Sequence, residues 1–181
     1  MHNTAVILTA ATDLLGRAPM ATMEEIATAA GVSRQTLYAH FPTRGALVDA
    51  MVDRVTGAVV AALNGAALAD GPAGAALDRW LDTCWSLLEA YPVLLQPTVV
   101  APDPQRDSER HLPIAATLLP VLRRGQRAGE FDQTHPPAWL LTAIIALGHA
   151  AGQAAGEGRL TARAAGRAFR DGVRRLVAPA R

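Results

Sequence analysis

The chain has 181 residues, half of them hydrophobic, enough for one medium domain or a small domain joined to a larger one. Every one of its 17 basic residues is arginine and they are nearly balanced by 16 acids, so a net charge of +1 singles out neither nucleic acid nor an acidic partner. The lone Cys84 excludes an internal disulfide and no Cys/His spacing suits a metal; there is no basic, cleavable leader, and the apolar run Ala138 to Leu147 is too short to cross a bilayer. A cytoplasmic protein with no cofactor and no membrane partner is therefore expected.

Alanine is abundant, no stretch alternates apolar and polar residues for long, and the periodic segments recur at three and four residues, so the chain reads as all-α. Asn3 or Thr4 could cap a first helix with Val6, Ile7, Ala10, Ala11, Leu14 and Leu15 on one stripe, ended near Gly16 and Pro19. Thr22 and Glu25 have capping-box spacing, which starts a short second helix at Met23 that buries Ile26, Ala27 and Ala30 and stops at Gly31. Ser33 caps a third helix, and Val32 with Leu37 has the spacing of a hydrophobic staple; Pro42 ends it. A long fourth helix starts near Thr43, with Leu47, Met51, Val55 and Val59 one turn apart.

On a helical wheel, residues 34–41 place Leu37 and Phe41 together on the face that must be buried. Gln35, Thr36 and Ala39 lie opposite, Tyr38 and His40 flank them, and Arg34 sits in the first turn. Small or hydrogen-bonding groups in the middle and longer polar groups at the sides suit a helix laid in the DNA major groove. The second helix, the turn at Gly31 and the third helix have helix-turn-helix spacing. A helical hairpin with a merely solvated polar side is the competing reading. Residues 1–56 carry Arg17, Arg34, Arg44 and Arg54 against five acids, so DNA binding here depends on local placement of groups.

The segment "TMEEIATAAGVSRQTLYAHFPTRGALVDAM" resembles the DNA-binding segment of the TetR/AcrR family of bacterial regulators: an Ala-Gly-Val-Ser turn, a Tyr, a His-Phe pair, then a basic residue before a long helix. The resemblance is close over about residues 4–56 and looser around "LPVLRRGQRAGEFD". It implies a DNA-binding domain over 1–46 and an effector-binding and dimerisation domain over 47–181, working as a homodimer on a roughly palindromic operator. It also implies phosphate or backbone contacts from Thr22, Tyr38, His40 and Arg44, with Arg34, Gln35 and Thr36 toward base edges and Ser33 in the same set. Arg44 stands where the family usually has lysine, and "MHNT" lacks the basic arm of many members.

Farther along, "ADGPAGA" breaks the chain before a fifth helix in "LDRWLDTCWSLLEAY". "PVLLQPTV" suggests a short sixth helix, and "PTVVAPDPQRDSER" a long mobile loop. A seventh helix follows in "LPIAATLLPVLRRGQRAGEF", kinked near Pro120, then an eighth in "PPAWLLTAIIALGHAAGQAAG" and a ninth in "TARAAGRAFRDGVRRLV" capped by Thr161, about nine in all. Trp80, Cys84 and Leu88 share a stripe with Trp85 beside it; these four, with Trp139, Thr142 and His149, are the candidates for a mostly apolar ligand pocket, although aromatic stripes are more often core. Gly148, Gly152 and Gly156 recur every four residues, and each glycine inside a helix costs about 1 kcal/mol relative to alanine, which suggests a closely packed partner helix. The family resemblance implies that the last two helices of each subunit form a four-helix bundle, with Ala165, Phe169 and Val173 on the apolar side of the final one. Its arginine stripe, Arg159, Arg163, Arg167, Arg170 and Arg174, reads as a solvated face.

No His cluster, Glu-x-x-His pair, phosphate loop or nucleophile elbow is present, so no catalytic role is expected. The sequence thus points to a DNA-binding regulator, a repressor released from its operator by a small, mostly apolar ligand. The alternative is a helical structural or ligand-binding protein that does not bind DNA.

Overall fold

The computed structural model describes residues 2–95, 99 and 104–179. Eight α-helices and one 3-10 turn follow in order, with no strand among the described residues: α1 (His2–Arg17), α2 (Met23–Ala29), α3 (Arg34–His40), α4 (Arg44–Asn64), α5 (Ala73–Ala90), the 3-10 turn Pro92–Leu95, α6 (Pro104–Arg127), α7 (Pro137–Gly156) and α8 (Ala162–Val177). The local signals work as the residue types dictate. Thr22 and Glu25 close a full capping box on α2, Gly31 takes a left-handed φ of 65°, and the Ser33, Thr43 and Thr161 hydroxyls cap α3, α4 and α8.

Two hydrophobic cores result. The first gathers Ile7, Ala11 and Leu15 of α1, Ile26 of α2, Leu37 of α3 and Leu47, Met51 and Val52 of α4, with Val93 from the 3-10 turn. The second takes Val59 and Leu63 of α4, Trp80 and Trp85 of α5, Leu118 and Leu122 of α6, Leu140 and Ile144 of α7, and Phe169 and Val173 of α8. One helix therefore belongs to both.

Three expectations for the middle of the chain change. The sixth helix of "PVLLQPTV" is a four-residue 3-10 turn, and residues 96–98 of that segment lie outside the described residues. Of the expected loop over 97–110, residues 104–110 are helical, because α6 begins at Pro104 and is fastened there to α4 by arginine–aspartate pairs. Residues 97, 98 and 100–103 of that loop lie outside the described residues. From Pro104, α6 continues through both Pro113 and Pro120 to Arg127, each proline leaving the carbonyl one turn earlier without its helical donor.

Among the described residues, the closest packing on a glycine within the chain is at Gly125 and Gly166. A Cβ on Gly125 would meet the Phe131 ring at 2.1 Å, and one on Gly166 would meet the Trp85 indole nitrogen at 2.3 Å. A Cβ on Gly148 would touch Phe169 at 3.5 Å and one on Gly152 would touch Leu95 at 3.5 Å, both ordinary contacts within the chain. Within the chain, neither of these two positions demands glycine for space.

Candidate nucleic-acid interface and effector region

The third helix is seven residues long and is held from three sides. Leu37 is fully buried beneath it, and Phe41 packs in the same core. At its start the Ser33 hydroxyl accepts the Thr36 amide at 3.0 Å and also meets the Thr36 hydroxyl at 2.8 Å. At its end His40 Nδ1 lies 3.2 Å from the Thr4 hydroxyl, tying α3 to α1. What remains outward is Gln35, Tyr38, Ala39 and His40, all exposed, with Thr36 half-buried at the rim.

The expected DNA contacts divide once their partners are known. Gln35 and Tyr38 have no hydrogen bond to the described residues, so their polar atoms are available to an incoming ligand. Thr22 exchanges hydrogen bonds with Glu25, whose carboxyl is held below its usual range by the Thr22 amide and hydroxyl. Arg34 lies 3.2 Å from Glu24 in an exposed ion pair that a phosphate could outcompete. Arg44 is turned inward: it donates to the carbonyls of Pro19 and Ala21, holding the connection between α1 and α2. Its role in the free protein is to brace the module, not to present charge. A second brace that the sequence did not show is Arg54, which donates to the Ala5 carbonyl and the Thr9 hydroxyl on α1.

The helix that carries this module is fastened to the second core by charge. Arg106 pairs with Asp49, and Arg110 bridges Asp49 at 3.0 Å and Asp53 at 2.8 Å. The Asp49 carboxyl is held below its usual range chiefly by the hydrogen bond from Arg106. Asp49 and Asp53 are one turn apart on α4, so the Arg110 guanidinium reaches both. These partners are 57 and 61 residues apart in the chain, a separation that no local pattern reveals.

The residues expected to line a ligand pocket are divided between core and surface. Trp80 is buried and donates from Nε1 to the Thr117 hydroxyl at 2.9 Å. Cys84 and Leu88 pack against the same core, and burial pushes the Cys84 thiol up to about 12. Trp85 is buried on Gly166 and donates to Glu89 at 3.0 Å; it alone of the seven borders a groove of about 490 Å³ between α5 and α8, with Glu89, Arg163 and Arg167. Trp139, 54 % exposed, and Thr142, whose hydroxyl returns to the Ala138 carbonyl, lie on the outer face of α7 and so do not join Trp80 in a cavity. His149 is exposed as well and faces His111.

The expected dimer contacts on α8 lie inside the single chain. Ala165, Phe169 and Val173 are buried in the chain's own second core, because the single apolar side of α8 is taken up there. Its arginine stripe is also less solvated than expected: Arg170 pairs with Asp82 at 2.6 Å and Arg174 with Asp78 at 3.0 Å, both across to α5. The unoccupied apolar surface is instead on α7, where only Leu140, Ile144, Ala151 and Ala154 of 20 residues are buried.

Comparison with known proteins agrees with this geometry. Residues 7–51 match the family described as bacterial regulatory proteins, tetR family, a span that runs from α1 through α3 into α4. The HTH-type transcriptional repressor LfrR of Mycolicibacterium smegmatis is 33% identical over 156 residues, covering 84% of this chain and 78% of that one. The crystal structure of LfrR in complex with proflavine superposes with a TM-score of 0.71 at 27% identity, covering 98% of both chains. The regulator FadR of Bacillus subtilis, solved with stearoyl-CoA, gives a TM-score of 0.77 over 96% of this chain and 97% of that one, and at 16% identity shows likeness of fold alone. With a third of its residues in common with a repressor over most of both chains, and the family's own segment lying on the capped hairpin described above, this protein belongs to the TetR family of bacterial transcriptional regulators.

Proposed function

We propose that the chain is a repressor that binds a roughly palindromic operator as a homodimer, with residues 1–46 as the reading unit and 47–181 holding the effector and the subunit contact. The observation that carries the reading is the outer face of α3, where Gln35 and Tyr38 stand unpaired beside Ala39 on a helix pinned at both ends. Ala39 lets the backbone approach base edges, Gln35 offers a donor and an acceptor in one plane, and Tyr38 and His40 reach toward the phosphates on either side. Ser33, Thr36, Arg34 and Thr22 complete the surface, with Arg44 as a brace. Acting on DNA places the protein inside the cell.

Two subunits are needed to read both halves of such a site, and the outer face of α7 supplies an apolar surface for that contact: Trp139, Thr142, Ala146, Ala150 and Gln153 are all exposed on one side of the helix. Placing an arginine at Ala146 should then give a monomer by sedimentation without loss of helical signal. The proflavine held by LfrR supports a second, ligand-responsive function in the larger core, for a small and mostly apolar compound.

The deciding experiment is selection of bound duplexes from a random library by the full chain, followed by titration of the enriched sequence. Gln35→Ala and Tyr38→Ala should abolish specific binding while leaving the unfolding transition in place. A wild-type protein that enriches no sequence, or variants that bind as well as it does, would remove the regulator reading in favour of a helical ligand-binding protein.

A further inference from the structure

His111 of α6 and His149 of α7 meet across the helix contact with their Nε2 atoms 3.2 Å apart. The ring centroids are 4.7 Å apart and the planes stand at 75°, so the facing atoms are the nitrogens and the ring axes are inclined to each other. His149 is exposed and His111 half-buried, which leaves the pair open to water on one side.

Two imidazole nitrogens at this distance cannot both present lone pairs to an empty gap, since the lone pairs repel. Either one ring donates an Nε2–H to the other, or a cation lies beside both. The spacing suits the second case closely: two nitrogens bound to one tetrahedral zinc ion, each about 2.0–2.1 Å from the metal, are about 3.3 Å apart. Imidazole nitrogen is a ligand for the late first-row divalent ions, whereas calcium and magnesium take oxygen.

We propose that His111 and His149 form a binding site for a late first-row divalent metal ion such as Zn²⁺. On binding, the ring that had donated moves its proton from Nε2 to Nδ1, so that both Nε2 lone pairs turn to the ion and no proton is released from a neutral pair. Among the described residues no third His, Cys, Asp or Glu joins them at the site. Its ligands come from two helices, so an occupied site joins α6 to α7. The site is independent of DNA recognition, because neither histidine belongs to the reading unit.

The test is titration of the full, tag-free chain with Zn²⁺ in a non-coordinating buffer at pH 7.5 by calorimetry, together with nitrogen-detected NMR of the imidazole rings. The expected result is one ion per chain, an affinity at least tenfold lower in His111→Gln and in His149→Gln, and no change in His135→Gln. Ring resonances of His111 and His149 should shift on zinc addition while those of His135 stay in place, a readout that needs no substitution. Zinc uptake unchanged in the His111→Gln, His149→Gln double variant, or ring shifts no larger than those of His135, overturns the proposal. Neither result bears on operator binding, which is measured separately.

Discussion

Replacing Gly166 by alanine isolates the close approach of Trp85 to α8. Alanine gains about 1 kcal/mol over glycine inside a helix. Against this, the new Cβ would lie 2.3 Å from the indole nitrogen and 2.6 Å from its neighbouring carbon, so the ring must move. That ring is 4 % exposed and packed on Phe169 at a centroid distance of 6.0 Å, which leaves it no free end to deflect. Overpacking of a filled core costs about 1–3 kcal/mol, and loss of the indole hydrogen bond to the Glu89 carboxylate adds to it. The net expectation is a loss of about 1–2 kcal/mol. Gly57 is the internal control, an exposed glycine inside α4 with nothing within 4 Å of its would-be Cβ; Gly57→Ala should gain about 1 kcal/mol. Urea unfolding of both variants at one protein concentration, followed by helical signal and tryptophan fluorescence, measures the two changes side by side. If Gly166→Ala is stabilised as much as Gly57→Ala, the ring does not lie on this glycine and the reasoning fails.

Operator affinity should fall only gently with salt, because Arg34 is already paired with Glu24 and Arg44 faces inward; a log–log slope implying many released counterions would refute this. Arg110→Ala should lower stability by about 1–2 kcal/mol, more than an exposed pair is worth, since Arg110 is 17 % exposed and its loss removes the cation beside Asp53 and leaves Asp49 to Arg106; an unchanged urea midpoint counts against the clamp. Cys84, with its thiol pushed up to about 12 by burial, should ignore an aromatic disulfide reagent at pH 8 in the native protein and react once in denaturant, and prompt native reaction would contradict its packing. The carboxyls of Asp49, Glu130 and Asp132 are all held below their usual range, by Arg106, by the Gly74 amide and by the Thr134 hydroxyl respectively. Each binds its proton less readily folded than unfolded, so its stabilisation is complete above the ordinary carboxylate range near pH 4 and is lost as pH falls through the lower native value. Thermal unfolding should therefore be nearly flat from pH 7 to 5 and drop below about pH 4, and a midpoint that rises on acidification would invert the sign.

The parts of the molecule legible in the sequence are those fixed by neighbours within one helical turn. Thr22 with Glu25, Val32 with Leu37, and Ser33 at the head of α3 determine the hairpin from local chemistry, and the period of Leu37 and Phe41 orients it. Where a decision rested on distant partners, periodicity could not make it. Residues 104–110 look like loop because they are polar and follow three prolines, yet two arginines there reach aspartates on α4 and extend the helix. Glu130 gave no local sign of its role, which is to accept the Ala73 and Gly74 amides at the head of α5. A wheel shows that α7 and α8 each have an apolar side, but not which of them is used within the chain; Phe169 proved internal and Trp139 external.

The helix shared by the two cores also sets a geometric sensitivity. At about 1.5 Å per residue, the 21 residues of α4 span about 30 Å, with Val59 and Leu63 seated in the larger core and Leu47 and Met51 beneath the reading unit. A tilt of about 5° at the seated end would carry the opposite end through roughly 2–3 Å, the length of a hydrogen bond. In the proposed homodimer, which would place both reading helices in successive grooves at once, such a displacement in each arm changes their separation by up to twice that amount. In that dimer, a slight loss of side-chain register in the larger core would be enough to make simultaneous docking of both arms impossible.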